Sequence, residues 1–402
     1  MSQSTVSYLW REPNAAHPFA TGVSLHSHTS QSKETLDFIA ELSTDWKPLQ
    51  PLLRWLETRC EGISGIKPDY ARAFWTPPLT PRLAFDLERS QIEDKLSLPA
   101  LVSLTDHDDI SAPLLLRAVP SARHIPVSLE WTVPYTCEGS PQSGKTCFHL
   151  GIHNLPTASG PEWMTRFASF TATPIEDRAP NELDHMLAEL AAIPQVLIVF
   201  NHPLWDLYRI GAAKHNFLVN DFLARHGQYC HALELNGLRN WDENREVTSL
   251  AERWNQLVLS GGDRHGIEPN ANVNLSHAKT FNDFVHELRV ERQSHVLFMP
   301  QYAEPWKHRI LQSTLDAIRN HPHFPEGTRN WDERVFHPNS KGEIVQLSTL
   351  WPDPHAPRYL SLVLSVVRLL GARPVSHTLR MAWNDRQSAA DMQGKRLAQR
   401  QA

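Results

Sequence analysis

Short apolar runs of β type punctuate the first two thirds of the chain. They fall at residues 22–25, 100–105, 125–130, 147–153, 196–201, 232–236 and 257–262. Each is four to seven residues long and most are bounded by Gly, Pro, Asn or charged positions, as strands are. Between them lie stretches with helical spacing of apolar residues. Residues 33–46 carry Leu36, Ile39 and Leu42 at such intervals. Residues 80–96 begin with Thr80, which can cap, and Pro81, which suits a first turn, and place Leu83, Leu87 and Leu96 for a shared face. Residues 180–193 and 243–256 read as two more amphipathic helices. Strand alternating with helix predicts a parallel sheet covered by helices.

The pattern breaks in three places. Residues 1–21 read as an irregular lead-in. Residues 46–80 are rich in Trp and Pro and read as an insertion that folds over something. Beyond about residue 295 the alternation stops, and residues 306–322 and 357–371 predict a mostly helical C-terminal extension with a polar tail. The organisation expected is therefore a lead-in (1–21), an α/β region (22–295) and an extension (296–402). Asn-Trp-Asp-Glu occurs at 240–243 and at 330–333, but the flanks do not match, so no repeat architecture is expected.

Composition narrows the picture. The chain has 402 residues, 41% of them hydrophobic, so a large core is available, and its net charge of −5 gives no general nucleic-acid-binding signal. No apolar run reaches the ~20 residues of a membrane span. The N-terminus lacks a basic region followed by an apolar stretch, so no signal peptide is expected. Four scattered cysteines, none in a CxxC pair, read as reduced thiols of a cytoplasmic protein.

The 22 histidines become informative only when placed on the strands. Run 22–25 leads into His26 and His28, run 100–105 into Asp106 and His107, and run 125–130 ends in Glu130. The next carries His149. Run 196–201 leads into His202, run 232–236 carries Glu234 and Asn236, and run 257–262 leads into Asp263, Arg264 and His265. In parallel barrels the active site is assembled at that end of the strands. A ring of imidazoles and carboxylates there predicts a multinuclear site for zinc, manganese or iron(II). His124, His153, His231 and His277 lie off this pattern, and His321 and His323 follow no strand.

In this order the motifs resemble those of the PHP (polymerase and histidinol phosphatase) metallophosphoesterases. "LHSHTSQS" is similar to the family's HxHT stretch and "SLTDHDD" to its TDHD motif. "SLEW" with "FHLG" is similar to its Glu-then-His region, "NHP" to AHP, and "SGGDRHG" to SDxH. The likeness spans about residues 22–270. It implies a distorted (β/α)7 TIM-like barrel holding two or three divalent ions (Mn²⁺, Zn²⁺ or Fe²⁺). The ligands it implies are His26, His28, His107, Glu130, His149, His202, Asp263 and His265, with Glu130 bridging. Asp106 would orient a ligand from behind. The family's acid after HxHT is replaced by Lys33, and Glu34 beside it is the expected substitute. Arg264 is placed in sequence to help bind phosphate.

The function implied is a metal-dependent phosphoric ester hydrolase, acting through a metal-activated hydroxide on a phosphate mono- or diester. The partner expected is a small phosphorylated substrate or short nucleotide. An amidohydrolase-type enzyme acting on a C–N bond also uses HxH and a late Asp, but no middle strand offers a lysine for carbamylation. A non-catalytic module of the same family is the third alternative.

Overall fold

The computed structural model describes residues 3–36, 50–137, 144–179, 181–322, 324–353 and 355–372, with isolated positions to 381. The helical reading of Ile39 and Leu42, His323 and the polar tail lie outside the described residues. All seven apolar runs are strands, and seven further strands join them. In chain order they are β1 (Gln3–Tyr8), β2 (Thr21–Ser24), β3 (Glu34–Thr35), β4 (Phe74–Trp75), β5 (Ala100–Val102), β6 (Val127–Thr136), β7 (Lys145–Leu155), β8 (Leu197–Asn201), β9 (Ala232–Asn236), β10 (Leu257–Gly261), β11 (Asn272–Ser276), β12 (Gln293–Phe298), β13 (Val335–Pro338) and β14 (Ile344–Gln346).

The strands form three sheets, ordered β1-β12-β11-β2-β5, β10-β9-β8-β7-β6 and β14-β13-β4-β3. No sheet closes, so the expected barrel is corrected to two five-stranded sheets meeting along their edges. Where a closed barrel would have ladders there are single bridges, Ser27 with Arg264 and His107 with Glu130. At the β10–β11 seam the Asn274 side chain accepts from the Ser260 N–H at 2.7 Å and donates to the Ser260 carbonyl at 3.0 Å. The all-parallel expectation also fails, because β7 runs antiparallel to both β6 and β8. β8, β9 and β10 are parallel, as are β2 and β5.

The described helices are α1 (Gln50–Ser64), α2 (Pro81–Leu96), α3 (Ser111–Arg117), α4 (Gly160–Ala172), α5 (Glu182–Ala192), α6 (Ala212–His226), α7 (Trp241–Arg253), α8 (Phe281–Arg289), α9 (Trp306–Ile318) and α10 (Arg358–Leu370). Thr80 caps α2 as expected, its hydroxyl accepting from the Leu83 N–H. Leu83 itself is 43% exposed, whereas Leu96 is buried as expected, together with Ala84, Phe85, Glu88, Gln91 and Ile92. Among the described residues beyond 295, α9 and α10 are joined by a segment in which β13 and β14 enter the small sheet. Among the described residues no helix is long and apolar enough to cross a membrane.

Period-two alternation sorts the strand residues onto two faces. Val127, Leu129, Trp131, Val133 and Tyr135 of β6 share one core with Phe148, Leu150 and Ile152 of β7 and with helices α4–α6. Burying a side chain such as Leu129 or Phe200 contributes about 1.5–3 kcal/mol. The opposite face carries Ser128, Glu130 and Thr132 of β6 and His149 and His153 of β7. Below, Val23, Leu25, Leu197, Val199, Ala232, Leu257 and Leu259 pack on Phe281, Phe284 and Leu288 of α8. That plug fills the end of the inner space where the parallel strands begin. The other end, where they finish, is left to polar side chains.

Candidate metal centre

The strand ends place His26, His28, Glu34, His107, Glu130, His149, His202, Asp263 and His265 around one point. Three groups of side chains offer ligand atoms within 4.8 Å of one another: His28, Glu34, His107 and His265; His26, His28 and Glu130; and His107, Glu130 and His149. The groups overlap through His28, His107 and Glu130. His26 and His28 follow β2 and are almost fully buried, 1% and 0% exposed. The Nε2 atoms of both approach Glu130 Oε2, at 3.0 and 3.4 Å, with His107 Nε2 also 3.4 Å from it. The other Glu130 oxygen faces His202 Nε2 at 3.1 Å and His149 Nδ1 at 3.5 Å, and accepts from Asn201 Nδ2 at 2.9 Å. Glu130 thus touches five imidazoles with one carboxylate.

Asp263 Oδ1 lies 3.5 Å from His28 Nε2, 3.7 Å from His26 Nε2 and 3.4 Å from His265 Nδ1. Its backbone is left-handed (φ 54°), as is that of His202 (φ 26°). Such conformations cost on the order of 1–3 kcal/mol in a non-glycine residue. Both kinks fall where a strand ends and a side chain must turn over the sheet edge.

Glu34 takes the place that Lys33 leaves. Its Oε2 is 3.1 Å from His265 Nε2 and 3.4 Å from His107 Nε2, and its Oε1 is 3.4 Å from His28 Nδ1. The Ser32 hydroxyl donates to Oε1 at 2.6 Å. The two-residue strand β3 accounts for this placement: Glu34 pairs with Trp75 of β4, and Trp75 pairs with Val335 of β13. Lys33 next door is exposed, with its ammonium over the Phe74 ring.

The electrostatics suit cation binding. Burial alone would raise the carboxyls, but the histidines outweigh it and hold Glu34, Glu130 and Asp263 well below the usual carboxylate range. Burial and the neighbouring His265 push His28 down to about 3, so it is neutral at pH 7. Burial also opposes charge on His107, yet Glu34 and Glu130 raise it to about 9. Three ionised carboxylates amid converging imidazoles, shut away from water, form the N/O donor set expected for zinc, manganese or iron(II). The residues therefore fit divalent metal ions.

Two sequence-predicted residues stand elsewhere. Asp106 is fully buried and accepts from the Thr29 N–H at 2.5 Å and the Thr29 hydroxyl at 2.7 Å. Burial raises its carboxyl to about 7. It fixes the segment after His28 and does not face the cavity. The Arg264 guanidinium is 3% exposed, pairs with Glu88 through Nε, and donates to the carbonyls of Gly266 and His28. It is turned away from the histidine cluster, so the phosphate-binding role expected of it is corrected to a buried ion pair beneath the site.

The strand pattern places Glu234 and Asn236 beside the site but gives them no role, and it gives none to Asn201 or Glu88. Glu234 Oε1 lies 2.5 Å from His26 Nδ1, while its Oε2 accepts from the His202 N–H at 2.8 Å and from Asn236 Nδ2 at 3.0 Å. Asn236 also donates to Asp263 Oδ2 at 3.0 Å. Carboxylates behind metal-binding imidazoles fix the tautomer and ring orientation. Gly261 makes the room: a Cβ there would lie 1.5 Å from Glu234 Oε1. The available signal was the position of Glu234 and Asn236 on the inner face of β9. Glu88 had none, being a helix residue that sequence spacing assigns to solvent. Of the histidines off the pattern, His153 is buried and faces the Ser103 hydroxyl at 2.9 Å, and His231 accepts from the Ile198 N–H at 2.8 Å.

A cavity of about 1010 Å³ lies over the cluster. Glu34, His107, Glu130, His149, His202, Asp263 and His265 form its floor, with His26 and His28 beneath. Trp205 packs edge-on to His202, centroids 4.9 Å apart, and the Arg239 guanidinium lies 4.1 Å over the Trp205 ring. Trp131 and Trp241 belong to the core, whereas Trp75 and Trp205 line the cavity.

No family model and no curated protein matches the chain. Several solved structures overlap part of it, and two illustrate the likeness. One is an amidohydrolase from Chromobacterium violaceum, with bound sulfate and no metal: 17% identity, 48% of this chain and 84% of that one, TM-score 0.30. The other, from Bifidobacterium adolescentis, is named as a candidate metal-dependent phosphoesterase: 15% identity, 54% of this chain and 92% of that one, TM-score 0.31. At such scores neither likeness assigns an activity to the chain.

Proposed function

We propose that the chain is a metal-dependent phosphoesterase that hydrolyses a phosphate mono- or diester at a di- or trinuclear centre. The observation that carries this reading is the overlap of three ligand groups through Glu130, His28 and His107. A single-ion site needs three or four protein ligands, and the three groups together bring seven, with His202 and Asp263 beside them. Divalent ions bound there supply positive charge for phosphate oxygens and lower the pKa of a bound water.

The chain's own residues do the rest. Glu130, Glu34 and Asp263 hold −3 of charge in place before substrate arrives, so with two or three ions the floor is net positive and attracts a phosphoester despite the acidic chain. Glu234 and Asn236 hold His26, His202 and Asp263 in position. Arg239, whose guanidinium lies over the Trp205 ring that packs on His202 and His149, is a cavity cation available to bind a non-bridging oxygen, in the role sequence gave to Arg264.

The test is hydrolysis of phenyl phosphate by the full chain with Mn²⁺ added. We expect metal-dependent phosphate release that His107→Ala and Asp263→Ala abolish while the far-UV spectrum is kept. Full activity in both variants refutes the reading. Cleavage of an anilide with no release of phosphate favours the C–N hydrolase instead.

A further inference from the structure

The walls of the cavity differ from its floor. They come from segments added to the strand framework: α1, the chain from residue 66 to β4, α9, the turn before Trp351, and α10. Leu56, Ala317, Ile318, Leu350, Leu360 and Leu364 all line it. Helix α10 reads Arg-Tyr-Leu-Ser-Leu-Val-Leu-Ser-Val-Val-Arg-Leu-Leu, with no charged residue between Arg358 and Arg368. The polar ends of two aromatic wall residues are already engaged. Tyr70 Oη donates to Glu57 at 3.2 Å, and Trp351 Nε1 donates to Asp332 at 3.1 Å. These side chains therefore offer ring faces.

About 1010 Å³ is at the upper end of the ~300–1,000 Å³ usual for ligand sites. A phosphate and a sugar would leave much of it unfilled. A nucleobase or sugar against Leu350, Leu360 and Leu364 would lose water from its donors and acceptors without gaining partners, which is costly. An apolar group there gains transfer free energy with every methylene.

We propose that the substrate is a phosphate ester of a large apolar alcohol, with a long alkyl or arylalkyl group held in this chamber while the phosphate sits on the floor. The proposal rests on the phosphoesterase reading. In the reaction, the water oxygen bonds to phosphorus and the P–O bond to the organic group breaks. Its electron pair goes to the leaving oxygen, which takes up the proton the water loses, giving the free apolar alcohol and phosphate.

The test separates binding from turnover. The Mn²⁺-loaded full chain is titrated calorimetrically with phenylphosphonate and with 4-hexylphenylphosphonate, which cannot be hydrolysed. Burial of a methylene is worth up to about fourfold in affinity, so we expect the hexyl compound to bind at least tenfold more tightly. Ala317→Phe and Leu364→Lys, one filling the chamber and one charging it, should each bring that ratio below about three. Equal affinity of the two phosphonates for the wild-type chain overturns the proposal, as does a ratio unchanged in both variants. Phenyl phosphate hydrolysis is measured alongside. A high ratio without hydrolysis supports the chamber's preference and removes the phosphoesterase reading, whereas hydrolysis with equal affinities does the reverse.

Discussion

Glu234→Gln is the sharpest probe of the site, because it changes one atom in a residue that does not line the cavity. In the native chain Glu234 Oε2 accepts two hydrogen bonds, from the His202 N–H and Asn236 Nδ2, and Oε1 faces His26 Nδ1 at 2.5 Å. Glutamine has one acceptor oxygen. Keeping both donors satisfied turns that oxygen toward His202 and Asn236 and the NH₂ toward His26. His26 Nδ1 must then be the acceptor, so the ring hydrogen moves to Nε2. That nitrogen faces Glu130 at 3.0 Å and is the one His26 offers to a metal. The substitution therefore disarms a ligand without removing it. Losing an oriented carboxylate behind a metal ligand typically costs 10–100-fold in affinity, or about 1.4–2.7 kcal/mol. The assay is calorimetric titration of metal-free chain with Mn²⁺, with kcat on phenyl phosphate measured in parallel. Gly261→Ala should lose affinity to a similar degree, because its Cβ would fall 1.5 Å from Glu234 Oε1 and displace the carboxylate. Affinity within twofold of wild type for Glu234→Gln, at unchanged melting temperature, would refute the tautomer argument.

Three further outcomes follow from the geometry. Glu34→Gln should lower the bound metal by one ion per chain, measured by elemental analysis, since only the group with His28, His107 and His265 contains Glu34; unchanged stoichiometry would show that Glu34 holds no ion. Arg264→Met should destabilise the chain by about 3–5 kcal/mol in urea unfolding, because it strands the buried Glu88 charge, and adding Glu88→Leu should recover much of that loss. In the metal-free chain His107 is raised from an ordinary 6.5 to about 9. The stability it contributes is therefore complete below about pH 6.5 and is lost as pH rises through about 9. Metal must displace that proton, and those held by the likewise raised His26, His149 and His265, so Mn²⁺ affinity should climb at least about tenfold per pH unit between pH 7 and 8.5; a flat profile over that range would contradict the assignment.

Much of the site was legible because strand chemistry is local. An apolar run that must lie in a sheet ends where the next polar residue begins, so His26, His107, Glu130, His202 and Asp263 announced themselves by position. The alternation in β6 likewise separates Leu129 and Trp131 from Glu130 without any tertiary information. The order of these residues along the chain carried the family likeness for the same reason. Strand direction was not local. The reversal of β7, the absence of a closed barrel and the entry of β13 into a third sheet depend on which edges find partners, and sequence patterns leave that open.

Side-chain aim was decided by the fold alone. Arg264 sits between two ligands in sequence, yet Glu88, buried on α2 176 positions earlier, captures its guanidinium and turns it under the floor. Glu34 reaches the histidines because β3 is paired through β4 to β13, some 300 residues away in the chain. Glu234 can stand behind His26 because Gly261 on the adjacent strand has no side chain. The sequence by itself determined which residue types gather at the strand ends and hence the chemistry on offer. Only the tertiary structure decided which of them converge on the cavity floor, which brace those that do, and which apolar walls close above them, because each of those depends on contacts between residues far apart in the chain.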